Sequence, residues 1–270
     1  MTSADWSIIG DARALEAHGL FVAEGRLVLD RLLHLRAAGA TWHLVGVLAS
    51  PAAAHALRLE DRCGDLLEVR PPDEMQRMTG FNFHRGVLAL VRRPPMLTLE
   101  AWLADLPVAR PIVLAEHIVD VDNVGSIFRN ARALGAAGVL LDDSSADPLY
   151  RKAVRTSMGA VLDLPWTTLA REPAWRAVRA AGYRLVALTP AENAVPLRDA
   201  IVSIGPGAVA IAVGNEGEGL TVGALAACDV RSRIPMADGA DSLNVATALA
   251  LALYEAHAVR QTHETHKSCA

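Results

Sequence analysis

Residues 208–220 read AVAIAVGNEGEGL, an apolar run that gives way to a turn with three glycines and two glutamates. The run has no polar face, which suits a strand buried on both sides, as in a parallel sheet covered by helices. The turn needs a separate explanation. A phosphate loop would end in G-K-[ST], and a dinucleotide fingerprint would run G-x-G-x-x-G; here the order is G-x-x-G-x-G. Gly214, Gly217 and Gly219 permit a sharp turn and close approach of the backbone to a ligand. Glu216 and Glu218 suit a cation, such as a sulfonium or a nearby Arg, better than a phosphate.

The same alternation extends outward. RPIVLAEHI (110–118), GVLLDD (138–143), YRLVALTP (183–190) and VRSRIPM (230–236) read as strands. Helical stretches are expected to begin near Val124, Asp147, Pro173, Thr221 and Ser242. Strands alternating with helices predict a parallel α/β sheet whose ligands bind at the carboxyl ends of the strands. HIVDVDNVG (117–125), GNEGEGL (214–220) and MADGADSLN (236–244) all fall there.

Upstream, VRRPPMLTLEAWLADLP (91–107) interrupts the chain. Its paired prolines cannot continue a ladder, and a short amphipathic helix follows them. Before the break, WHLVGVLAS (42–50), LLEVR (66–70) and GVLALV (86–91) read as strands. EGRLVLDRLLHLR (24–36) reads as a helix with Val28, Leu32 and Leu35 toward the core. The expected organisation is a small α/β domain over 1–95, a linker over 96–109, an α/β domain over 110–262 and a disordered tail over 263–270.

In DVDNVGSIFRNARALGAAG (120–138), Asn123 is expected to cap a helix and Gly135 to end it. Gly125, Arg129 and Arg132 share a face, where an anion would meet the helix's positive end. A solvated basic face would look the same. DPLYRKAVRTSMGA (147–160) adds Arg151, Lys152 and Arg155 as a second basic face, again open to an ordinary surface reading. In the third segment a long helix is expected to open at Ser242 with Asn244 in its first turn. Both residue types are also common as plain caps.

Composition sets the outer limits. Of 270 residues 52% are hydrophobic and 21% charged, which excludes a disordered chain. No apolar run approaches the roughly 20 residues of a membrane span, and MTSADWSIIG does not resemble a signal peptide. Cys63, Cys228 and Cys269 have no paired spacing, so neither disulfides nor a metal site is expected, and a reducing cytoplasm is. The net charge of −4 argues mildly against nucleic acid, although charge distribution matters more than the total.

The segments DVDNVGSIFRNARALGAAGVLL, AVGNEGEGL and IPMADGADSLNVATALALALYE, in this order and spacing, resemble the three signature motifs of the SpoU (TrmH-type) RNA ribose 2′-O-methyltransferases of the SPOUT superfamily. The likeness covers about 110–260. FVAEGRLVLDRLL (21–33) and RGVLAL (85–90) are similar to the substrate-binding domain that often precedes it, although FHRGV (83–87) stands where family members often carry QG. The resemblance implies a deep trefoil knot, S-adenosylmethionine as cofactor, and RNA as substrate, ribosomal ahead of transfer RNA. It also implies a homodimer through the C-terminal domain and no metal.

By the same resemblance Arg129 lies nearest the reacting hydroxyl, as general base or as the group that orients hydroxyl and phosphate. Asn123 would fix the helix start, Glu216 would pair with Arg129 or order its own loop, and Ser242 with Asn244 would position ribose or cofactor. Leu188, Gly214, Asn215, Gly219, Ile234, Met236 and Leu243 would hold the cofactor, and Arg132, Arg151, Lys152 and Arg155 the RNA. The alternatives are a non-catalytic RNA-binding protein that keeps the fold and a nicotinamide-dependent oxidoreductase, whose fingerprint is missing.

Overall fold

The computed structural model describes residues 4–80, 86–107, 109–169, 171–205 and 207–268. Phe83, His84 and Arg85 of FHRGV, and Cys269, lie outside them. The strands are β1 (Leu20–Glu24), β2 (Leu44–Ala49), β3 (Leu67–Val69), β4 (Val87–Arg92), β5 (Ile112–Ala115), β6 (Gly138–Asp142), β7 (Trp166–Leu169), β8 (Arg184–Leu188), β9 (Val195–Pro196), β10 (Val209–Val213) and β11 (Val230–Arg233). The α-helices of the first half are α1 (Ala12–Ala17), α2 (Arg26–Ala37), α3 (Pro51–Leu57), α4 (Leu59–Cys63) and α5 (Pro72–Thr79). Those after the Pro94–Pro95 break are α6 (Leu99–Asp105), α7 (Val121–Ala133), α8 (Arg151–Thr156), α9 (Arg171–Ala180), α10 (Leu197–Ile204), α11 (Val222–Ala227) and α12 (Val245–Ser268).

The chain forms two compact units, Met1–Pro95 with Asp147–Asp163, and Met96–Ala146 with Leu164–Ala270. The first is built on a mixed sheet ordered β1-β4-β2-β3, with β4 antiparallel to β1 and β2, and β3 parallel to β2. Strand β1 was not anticipated, because LFVAE merges in the sequence with the helix that follows it. All five of its residues are buried. Helix α2 buries Val28, Leu29, Leu32 and Leu33, so its core stripe is turned toward the 29/33 line and Leu35 is only half-buried.

Residues 147–163 were expected within the C-terminal domain but belong to the first unit. Arg93 forms an ion pair with Asp147, and the Trp42 indole donates to the Leu162 carbonyl at 3.0 Å. Arg151 and Arg155 each lie 3.8 Å from the buried Glu24 carboxylate. The segment is thus tied down by specific charges and by a half-buried indole.

The second unit is an all-parallel seven-stranded sheet ordered β7-β6-β5-β10-β8-β11-β9. Strand β10, the apolar run that precedes the glycine-rich turn, lies at its centre with all five residues buried. One sheet face packs Ile112, Leu114, Leu185, Ala187, Ala210 and Ala212 against Trp102 of α6 and Trp175 and Val178 of α9. On the other, α12 packs against α7 and β10. From β5 the chain winds to β6 and β7 on one side, then crosses to β8 on the far side of β10. The strand order therefore reverses at the β5–β10 pair, where such sheets open a crevice at their carboxyl ends. Strands β7 and β9 and helix α10 were not anticipated: the two strands are short and not continuously apolar, and α10 follows the two-residue β9 without a separate start signal.

Helix boundaries also shift. Asp120, not Asn123, caps α7, its carboxylate accepting from the Asp122 backbone N–H at 2.7 Å. Gly135 does sit just past the end of α7, with φ +79°. Helix α12 opens at Val245 rather than Ser242 and is assigned through Ser268, so the tail expected from 263 is helical in its first six residues. No helix among the described residues is long and apolar enough to cross a membrane.

Candidate active site

Because Asp120 takes the cap, the Asn123 side chain is released for another task. It is buried in the first turn of α7 and donates to Glu216 Oε1 at 2.5 Å. Asn244, just before α12, donates both to Asn123 Oδ1 at 2.8 Å and to Glu216 Oε1 at 3.1 Å. Its own Oδ1 accepts from the backbone N–H groups of Ala246 and Thr247 at 3.0 and 3.2 Å, which caps the long helix. One residue from each of the three motifs, separated in sequence by 93 and 121 positions from Asn123, thus meets in one polar cluster. The carboxylate is held by two amide donors, and hydrogen bonds to a charged acceptor are the stronger kind. Glu216 is thus bonded to the asparagines of the other two loops and, among the described residues, makes no ion pair with Arg129.

The glycine-rich turn is folded just as tightly. Asn215 Oδ1 accepts from the backbone N–H of Gly217 and Glu218 at 2.8 and 3.1 Å, and its Nδ2 donates to the His117 carbonyl at 3.0 Å. Asn215 and Gly219 form a bridge. A Cβ on Gly214 would lie 2.4 Å from the Gly219 carbonyl, a distance that atoms never reach, so residue 214 must be glycine. Past the turn, the buried Glu116 carboxylate accepts from both the N–H and the hydroxyl of Thr221 at 2.9 Å.

Around this turn lies a cleft of about 320 Å³, at the small end of the range for ligand sites. It is lined by Leu188, Gly214, Asn215, Gly219, Ile234, Met236 and Leu243, every residue expected to hold the cofactor, together with Glu216, Glu218 and Ser242. Leu220, Leu225, Val245 and Ala248 make the remaining walls largely apolar. An apolar cleft with exposed carboxylates at its lip fits a flat base joined to a cationic group, which is the chemistry of S-adenosylmethionine.

The expected RNA-contacting residues divide. Arg129 and Arg132 are exposed on α7, and neither lines the cleft. Among the described residues Arg129 has no ion-pair partner. Arg151, Lys152 and Arg155 lie in the other unit, where Lys152 is exposed and the two arginines face Glu24.

Sequence reasoning passed over Glu116, His117, Asp142 and Ser232. Glu116 had a signal, being a carboxylate appended to an apolar strand. Asp142 is buried and accepts from the His117 N–H at 2.8 Å and from the Ser144 and Ser145 hydroxyls at 2.6 and 2.5 Å. His117 adopts the left-handed region, φ +55°, uncommon outside glycine and found where neighbours dictate the backbone. The Cys228 thiol is pushed up to about 12 by burial and then by Asp229 and Glu116, so it is no nucleophile near neutral pH.

A parallel sheet with three ordered loops around a cleft at its carboxyl edge defines a ligand-binding α/β domain. Residues 110–254 match the SpoU rRNA Methylase family, and the chain belongs to that family. It is similar to an uncharacterized tRNA/rRNA methyltransferase of Mycobacterium bovis, 42% identical over 245 residues, 87% of this chain and 80% of that protein. It is also similar to the 23S rRNA (guanosine-2′-O-)-methyltransferase RlmB of Acinetobacter baylyi, 32% identical over 207 residues, 74% of this chain and 81% of that one. Among solved structures it resembles the SpoU methyltransferase AviRb from Streptomyces viridochromogenes in complex with the cofactor AdoMet, with TM-score 0.77, 27% identity and coverage of 96% and 98% of the two chains.

Proposed function

We propose that the protein is an S-adenosylmethionine-dependent RNA methyltransferase acting on a ribose 2′-hydroxyl, in ribosomal ahead of transfer RNA. The observation that carries this reading is the meeting of Asn123, Glu216 and Asn244 beside the cleft. Relatives named as rRNA 2′-O-methyltransferases and a structural neighbour with AdoMet bound support it.

S-adenosylmethionine, when bound, supplies a methyl carbon activated by the adjoining sulfonium. The chain's residues do the rest. Gly214, Asn215 and Gly219 bring backbone groups to the ligand, and Leu188, Ile234, Met236 and Leu243 enclose its apolar part. The Asn123–Glu216–Asn244 cluster holds the three loops in register, so much of the rate comes from positioning. Ser242 stands at the cleft's edge to place the ribose. Arg129 orients the hydroxyl and its phosphate with its planar fork and stabilises the alkoxide as it forms, the hydroxyl proton passing to solvent water. Arg132, on the same helix, extends the phosphate contacts. We further assign the working unit as a homodimer built on the second unit, with its C-terminal segment knotted, in the cytoplasm.

Calorimetric titration of the purified protein with S-adenosylmethionine, then with NAD, tests the cofactor assignment. Saturable binding of the first and none of the second is expected. Binding of NAD alone would overturn the reading.

A further inference from the structure

One side chain in the cleft is unexplained by the motifs. Ser232 lies on β11, in register with Leu188 of β8 and Val195 of β9. It is wholly buried and lines the cleft. Its backbone carbonyl already accepts from the Thr189 N–H at 2.9 Å. Its hydroxyl has no hydrogen-bond partner among the described residues. A buried hydroxyl gives up its bonds to water, and folded proteins almost always return an equivalent. Of the cleft residues beside it, Leu188, Ile234 and Met236 are apolar, and the Thr189 hydroxyl accepts from the Ala191 N–H at 3.3 Å instead.

We propose that the Ser232 hydroxyl binds the edge of the ligand's purine base and selects a 6-amino purine. This rests on the cofactor reading above. The cleft separates two chemistries: Glu216 and Glu218 are exposed at the lip, where a cationic end is neutralised, whereas Ser232 is buried on a side where a neutral flat base sheds water. A hydroxyl both donates and accepts, so at the N7 edge it donates to the ring nitrogen while accepting from the 6-amino group, whereas a 6-oxo base offers acceptors at both places and matches only one of the two bonds. This bond adds polar discrimination on the buried side of the cleft, and buried polar pairing is the stronger source of selectivity.

The test is Ser232→Ala, with S-adenosylhomocysteine and its 6-oxo analogue, S-inosylhomocysteine, titrated into wild type and variant. Wild type binds the 6-amino compound more tightly. The variant binds it about five- to tenfold more weakly, as for one lost hydrogen bond, and no longer separates the two compounds. Its ligand-free melting temperature is unchanged or raised, since an unsatisfied group has been removed. Unchanged affinity and preference in the variant would overturn the assignment. So would equal weakening toward both compounds with a lowered ligand-free melting temperature, which would mark a purely structural role. If wild type binds neither compound, the cofactor reading fails as well, and that outcome is distinguishable because it precedes the substitution.

Discussion

Asn123 shows how one residue's task depends on its neighbour. Asp120 meets the first backbone donors of α7, so the asparagine three positions on can turn its amide to Glu216. That the segment mattered was legible, because Asn, Gly and Arg stand in a fixed order at a strand's carboxyl end. The role was not, since any of three polar residues could have taken the cap. The same holds for Glu216, whose partners lie far off in sequence. Arg129 is six residues beyond Asn123, about 9 Å along the helix, exposed and outside the cleft. Arg129→Ala is therefore expected to lower methyl transfer by about 100-fold or more, as for loss of a charge-stabilising donor, while cofactor affinity stays within a few-fold. Arg129→Lys remains poor, because a point charge does not replace a planar fork. Single-turnover assays beside calorimetry decide it, and retained turnover with lost cofactor binding would reverse the assignment.

At the scale of elements, apolar runs such as AVAIAV and GVLLDD were legible as strands because burial on both faces leaves no polar alternation to confuse them. Elements whose stability comes from tertiary contacts were not. WTTL becomes β7 only by pairing with β6. Segment 147–163 sits inside the family's matched region, yet its aromatic and charged partners Glu24, Trp42 and Arg93 come from the first unit. Helix α8 packs on β1, a contact that no local pattern encodes. A fragment beginning at Met96 would strip that segment of these partners while keeping every cleft residue. It should melt about 5 °C or more below the full chain, still bind S-adenosylmethionine, and methylate its natural RNA weakly. Calorimetry of fragment and full chain checks this: equal melting temperatures and equal activity would show that the first unit neither supports 147–163 nor recognises RNA.

For the whole molecule, the long helix α12 carries the argument. It buries Val245, Ala246, Leu249, Ala252 and Leu253 but leaves Leu251 and Tyr254 41% and 59% exposed. Val202, on the helix α10 that packs beside it, is 57% exposed. These outward apolar side chains motivate the homodimer, since covering them gains roughly 25 cal/mol per Å² of apolar surface removed from water. Light scattering at micromolar concentration should give about twice the chain mass of 28.7 kDa, and a mass equal to one chain would refute the assembly. The methylated product reports on the chemistry itself. Total RNA is incubated with the protein and S-adenosylmethionine carrying a labelled methyl group, digested to nucleosides, and compared with a parallel Arg129→Ala reaction. Label in a 2′-O-methylated nucleoside, absent with the variant, is the result predicted. Label on a base, or none in any RNA despite bound cofactor, would contradict the account.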